Sequence, residues 1–280
     1  FFQAEDGIRD SSVTGVQTWL FRSARMKFHE YKLSKHIIDN PEIMKMSAYD
    51  YYDKSVRRLI AGDMPEKVAD VLFAEHSYVD CKRPFYHVYP SVEKCLENTS
   101  LNFDLRQIGA LPYTIAMCFA VGHEPRVRNG KVASMLVEHS TKIAIASTRE
   151  VLDRPMLRLS FNVIKNDGNV CFSSVNYHSE GLISNVSAQL GDNRKLVSLA
   201  VGVSLLANDE RFAEPILLKR DQDRTLDSDG VNRAIERARN RGLFGFSIGK
   251  GLEVSPHMRV PHFAIRWTDR KSTRLNSSHT

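Results

Sequence analysis

Apolar residues recur at two different periods along this chain, and the change falls near Leu111. From Ser47 to Gly62 the run SAYDYYDKSVRRLIAG puts Tyr49, Tyr52, Val56, Leu59 and Ile60 at helical spacing, with Asp50 and Asp53 early and Arg57 and Arg58 late, as the helix dipole favours. Pro65 opens a second helical run, PEKVADVLFAEH, with Val68, Val71, Leu72 and His76 on one side, and a third short helix is predicted after Pro90. The first part of the chain, to about Asn102, therefore reads as helical. Beyond Leu111 the runs LPYTIAMCFAVG, KVASMLVEH, TKIAIAST, MLRLSFNVIK and NVCFSSVNYH are short, rich in Val, Ile, Phe and Tyr, and divided by polar or Gly turns. Asp167-Gly168 between the last two is a hairpin signal, so the pattern predicts an antiparallel sheet from Leu111 to Tyr177.

Helical spacing returns in NRKLVSLAVGVSLLAN, which is apolar on most sides, as a helix packed on a sheet would be. PILLKRD reads as one more strand and DQDRTLDSD as a solvated charged loop. Ser228 or Asp229 is the expected cap of a basic helix, GVNRAIERARNRG, that ends at Gly242. FGFSIGKGLEV and VPHFAIRWT read as closing strands. The predicted class is α+β: N-terminal helices, a central antiparallel sheet, and C-terminal helices and strands packed on it. The expected core comprises Ile115, Met117, Phe119, Leu159, Phe161, Val163, Leu199, Val203 and Leu206, which take alternate strand positions or one helical face.

Composition narrows the class of molecule. With 280 residues and 42% hydrophobic content, a fold of this size buries about three-quarters of its unfolded surface, so neither metal nor disulfide is needed for stability. The longest nearly apolar run, Leu196 to Ala207, falls short of the about 20 residues that a bilayer span needs. Cys81, Cys95, Cys118 and Cys171 are scattered with no CxxC pair, which points to reduced thiols and a cytoplasmic setting. The two ends have a different character: FFQAEDGIRDSSVTGVQT and RKSTRLNSSHT resemble translated sequencing-adapter DNA. The expected organisation is thus an adapter-like, disordered stretch at 1–25, a single α+β domain at 26–268 (helical part 26–102, sheet and C-terminal part 103–268) whose natural chain continues further, and a second adapter-like stretch at 269–280.

Charge is concentrated. Between Arg233 and Arg266 seven basic residues (Arg233, Arg237, Arg239, Arg241, Lys250, Arg259, Arg266) face two acidic ones, a local balance of +5 within a whole-chain net charge of +6. A basic helix followed by strands bearing Phe244, Phe246, Phe263 and Trp267 is a pattern that holds a phosphate backbone and stacks unpaired bases; a solvated helix face with core aromatics has the same pattern. His257 and His262 bracket Arg259 at a spacing that puts them on opposite faces of a strand, with no Asp, Glu or Cys at ligand spacing. No metal site, cofactor or catalytic set is predicted: GxSxG, HExxH and a complete phosphate loop are all absent from the sequence.

At Pro256 to Trp267 the string PHMRVPHFAIRW resembles the carboxyl-terminal segment of the second family of type V-A anti-CRISPR proteins (AcrVA-two-like), through Pro256, His257, Arg259, His262, Phe263 and Trp267. A second similarity is the apolar helix leading into Ala213-Glu214-Pro215 and Ile216, and a third is the Leu-Pro step at LPYTIAMCFA. Val260 and Pro261 depart from the family, where more basic or Gly residues are usual. Relatives of this family occur in phages, plasmids and bacterial genomes. The resemblance implies a non-catalytic cytosolic protein that lowers production of a type V-A CRISPR effector nuclease, with the effector's nascent polypeptide or mRNA as partner and the ribosome nearby. The protein- or RNA-binding surface is then expected at Arg233, Arg237, Arg239, His257, Arg259, His262, Arg266 and Trp267. The alternative is a nuclease or other phosphate-directed hydrolase working through His257 or His262.

Overall fold

Four of the five alternating runs beyond Leu111 become strands of an eight-stranded, mostly antiparallel sheet, whereas TKIAIAST supplies a strand of a separate two-stranded sheet. The computed structural model describes residues 26–97, 105, 111, 114–128, 130–140, 143–144, 151–152, 155–178, 193–207, 209, 211–222 and 224–250. Both adapter-like stretches, and the strand read at VPHFAIRWT, lie outside these residues.

The helices are α1 (Lys35–Asp39), α2 (Ala48–Ile60), α3 (Glu66–Asp80), α4 (Pro90–Glu97), α5 (Arg194–Leu206), α6 (Lys219–Gln222) and α7 (Ser228–Asn240). The strands are β1 (Phe85–Val88), β2 (Ile115–Phe119), β3 (Arg126–Val127), β4 (Gly130–Ser140), β5 (Ile143–Ala144), β6 (Val151–Leu152), β7 (Met156–Ile164), β8 (Val170–His178), β9 (Ala213–Pro215) and β10 (Gly245–Ile248). The main sheet runs β8-β7-β4-β2-β1-β10-β9, with β3 paired to β4, and β5 and β6 pair with each other.

From β2 to β8 every pairing is antiparallel, as the alternation predicts. The β7–β8 hairpin closes where Gly168, at φ +83, donates its N–H to the Lys165 carbonyl at 2.9 Å, a backbone angle that favours glycine. Because strand side chains alternate, the two faces of the sheet carry different residues. Ile115, Met117, Phe119, Met135, Val137, Leu159, Phe161 and Val163 pack with Val92 and Leu96 of α4 and with α5. Ala116, Cys118 and Leu136 face the other way and pack with Ala74 and Tyr78 of α3. A register shift between Val132 and Ser134 lets Val132 join the α5 face out of strict alternation. All nine expected core residues are buried in this cluster. α5 is enclosed on most of its circumference, from Leu196 to Leu206, which explains its lack of a polar face.

Four expectations are corrected. Residues to Asn102 are not all helical: β1 lies between α3 and α4 and pairs in parallel with both β2 and β10. Its four residues are too few to display a period, and pairing on both sides makes it a strand. The strand read in PILLKRD instead ends at Pro215, and Lys219–Gln222 is a turn of helix. Asp227, not Ser228 or Asp229, caps α7 by accepting the Gly230 N–H at 2.7 Å. On α2 the inward face carries Tyr51 and Ser55, while Ile60 is 67% exposed.

Candidate nucleic-acid and protein interface

α7 owes its position to small residues. Gly230, Ala234 and Ala238 are buried, so the helix approaches the body closely and its arginines stay outside. These arginines differ in their surroundings. Arg233 is exposed. Arg237 is engaged by Asp221 of α6: its Nη2 donates to Oδ1 at 2.9 Å and its Nε to Oδ2 at 3.4 Å. Asp221 is 2% exposed and also lies 3.8 Å from the Arg220 guanidinium. The Arg237 hydrogen bonds, helped by the charges of Arg220 and Arg224, hold its carboxyl below the usual aspartate range. Arg239 lies over the Phe244 ring, 4.1 Å from its centre.

The aromatics expected to stack on bases are used inside the protein. Phe244 is buried, and Phe246 meets Tyr86 and Phe244 edge to face. Of the residues read as a binding surface, Arg233, Arg237 and Arg239 share α7. His257, Arg259, His262, Arg266 and Trp267, with Phe263, lie outside the described residues, so the hydrolase alternative has no described geometry. Arg220, Arg224 and Asp221 do not stand out in the sequence, where they sit in or beside a stretch that reads as a solvated loop. Only the contact between Asp221 and Arg237, sixteen positions apart, brings them to α7.

A second cluster surrounds β9, at the edge of the sheet. β9, which is the Ala213-Glu214-Pro215 step, pairs antiparallel with β10, with Ala213 opposite Ile248 and Glu214 opposite Ser247. Glu214 accepts from the Lys250 ammonium at 2.8 Å, and that bond raises the Lys250 pKa. Beneath it, Gly249 donates its N–H to the Phe212 carbonyl at 2.7 Å, and its own carbonyl accepts from Ser91 Oγ at 3.0 Å. Glu214 and Lys250 are both about half exposed, and Lys250 stands seven positions before His257 in the sequence.

A cavity of about 10 Å³, room for about one water, is lined by Leu105, Leu111, His139, Leu157, Val201 and Ser204. No group of three or more His, Cys, Asp or Glu among the described residues is arranged to hold a metal ion. No helix among them is long and apolar enough to cross a membrane.

No protein-family model matches this chain, and no curated protein matches it. Among solved structures it is similar to the crystal structure of AcrVA2, with 11% sequence identity and a TM-score of 0.47 over 92% of this chain and 87% of that one. So loose a superposition establishes neither a shared fold nor a shared activity.

Proposed function

We propose that this chain is a non-catalytic binding protein of the anti-CRISPR kind, which lowers production of a type V-A CRISPR effector by engaging its nascent chain or its mRNA during translation. The reading starts from the residue-level resemblance at Ala213-Glu214-Pro215-Ile216 and at Pro256 to Trp267. One observation carries it further. The first of these stretches is the strand paired with β10, and Glu214 within it holds Lys250, six residues before the second begins. The first similarity therefore forms an edge strand of the sheet and carries an exposed Glu214–Lys250 pair, which supports a binding surface on that edge. The chain reaches β10 from α7, and Arg239 of that helix lies over Phe244 just before β10.

The test is co-expression of the full chain with a type V-A effector, with effector protein and mRNA both quantified, and capture of the chain from translating cells with and without RNase. The expected result is reduced effector, co-recovery of ribosomes or of the nascent nuclease, and restored effector in the double variant His257→Ala, His262→Ala. An unchanged effector level together with capture of neither partner would overturn the proposal.

A further inference from the structure

Arg233, Arg237 and Arg241 stand at positions i, i+4 and i+8 of α7 and its C-cap, so they follow one another along one side of the helix at steps of about 6 Å. Arg233 and Arg241 are exposed and form no ion pair among the described residues. Arg237, between them, is held at two points by Asp221, which fixes the plane of its guanidinium without covering it, since the side chain keeps 38% of its exposure. Arg220 lies 3.8 Å from the same carboxylate, and the charge of Arg224 also acts on it. Three guanidinium groups thus act on one buried acid, and Arg233 and Arg241 extend the row on either side of Arg237, an excess of positive charge that Asp221 does not cancel. Asp229 and Glu236 lie beside the row on α7 and moderate it.

Helix stability accounts for part of this pattern. Arg237 and Arg239 sit in the last turn, where cations offset the dipole. Arg233 lies a turn or more before them, outside the last turn, and Arg220 and Arg224 are on other segments, so the dipole does not explain these three. Evenly spaced, planar, always-charged donors match a polymer that presents one anionic group per repeat, and guanidinium binds phosphate oxygens two at a time. With Phe244 buried and Phe246 packed on Tyr86, the described face offers no ring for a base, so it contacts backbone and not sequence.

We propose that the α6–α7 face binds the phosphodiester backbone of single-stranded RNA without sequence preference, through Arg220, Arg224, Arg233, Arg237 and Arg241. This deepens the mRNA arm of the function proposed above and rests on it.

The test is binding of the purified full chain to a labelled oligouridylate across a salt series, with polyglutamate as the competing polyanion. The wild type binds at low salt, and its affinity falls as salt rises. The double variant Arg233→Ala, Arg241→Ala removes two exposed side chains and leaves the thermal midpoint in place; it weakens binding on the order of tenfold at low salt and lowers the salt slope by about 0.7 for each phosphate that is no longer neutralised. The control double variant Lys54→Ala, Arg57→Ala on α2 leaves both unchanged. Arg237→Lys keeps the charge but loses the two-point hold, and binds more weakly than wild type at the same slope. No affinity for oligouridylate at low salt, equal slopes in wild type and double variant, or displacement by polyglutamate at matched charge overturns the proposal. RNA binding by a chain that leaves effector levels unchanged overturns the anti-CRISPR function and not this surface; effector lowering without RNA binding does the reverse.

Discussion

His87 sits half-buried on β1, stacked on the Phe28 ring at 4.3 Å between centroids and tilted against Phe85 at 4.9 Å. Burial pushes its pKa down from 6.5 to about 4, because the imidazolium would lose its hydration among those rings. The folded state therefore holds this side chain neutral. Its contribution is present in full above pH 6.5 and is lost as pH falls through about 4. Denaturant titrations at about pH 7 and about pH 4.5 should show the wild type losing stability on acidification, with a smaller loss in His87→Gln. Glu124 acts in a lower window. Partial burial alone would raise its pKa, but hydrogen bonds from His29 at 2.8 Å and the Gly122 N–H at 2.9 Å bring it down to about 2. Its contribution is present above about 4.5 and is lost as pH falls through about 2, so it is nearly intact where that of His87 has gone. Neither environment is legible in the sequence, since Phe28 and His87, like His29 and Glu124, stand far apart along the chain and meet only in the fold.

At the scale of elements, the parallel centre of the sheet depends on one tight junction. Beyond β10 the chain turns at Gly249, whose φ of +74 suits glycine, and a Cβ there would come within 2.1 Å of Val92 Cγ2 on α4. Val92 is fully buried, so it has nowhere to move. Gly249→Ala should destabilise the fold by about 2 kcal/mol or more through the combined cost of the backbone angle and overpacking, read from chemical denaturation. Gly168→Ala is the useful comparison. Its φ is also positive, but nothing lies within 4 Å of the added atom, so the loss should be about 1 kcal/mol. The sequence marks Gly168 as a turn residue, whereas Gly249 falls inside the run read as a strand at FGFSIGKGLEV. Only the packing of α4 against β10 separates their costs.

Across the whole molecule, the segment from Met26 to Ser34 crosses the sheet and is tied down at three places. Phe28 bridges Ala120, the backbone of Lys32 exchanges hydrogen bonds with the Asn162 side chain at 2.7 and 3.2 Å, and Ser34 donates its N–H and hydroxyl to Glu75 at 2.9 and 2.5 Å. Glu75 also accepts from Tyr31 at 3.3 Å. Its burial raises the carboxyl pKa, and the donors from Ser34 and Tyr31 work against that rise. Glu75→Ala leaves these donors without an acceptor and should cost about 2–3 kcal/mol. Asn162→Ala should release the same segment. Hydrogen exchange at the Lys32 and Ser34 amides should then quicken in both variants while the β4–β7 amides stay protected; unchanged exchange at Lys32 and Ser34 would show that the strap holds without these side chains.

The alternation of Ile115 to Phe119 and of Leu159 to Val163, the Asp167-Gly168 turn, and the apolar circumference of α5 are properties of neighbouring residues, and they carried the α+β class, the antiparallel half of the sheet and the named core. Such local patterns survive translation into structure because any partner that buries them must bury the same face. The basic helix was legible for the same reason. Its division of labour was not: whether Arg237 is held by Asp221, whether Arg239 lies on Phe244, and whether Arg233 is left to the solvent depend on where α6 and β10 come to rest. β1 shows the same limit in the backbone, for four residues hold too few alternations to declare a strand, and the hydrogen bonds that make it one come from β2 and β10, which lie about 30 and 160 positions further along the chain. Tertiary structure decides what depends on distant partners, because a hydrogen bond or an ion pair has no energy until both of its ends are in place.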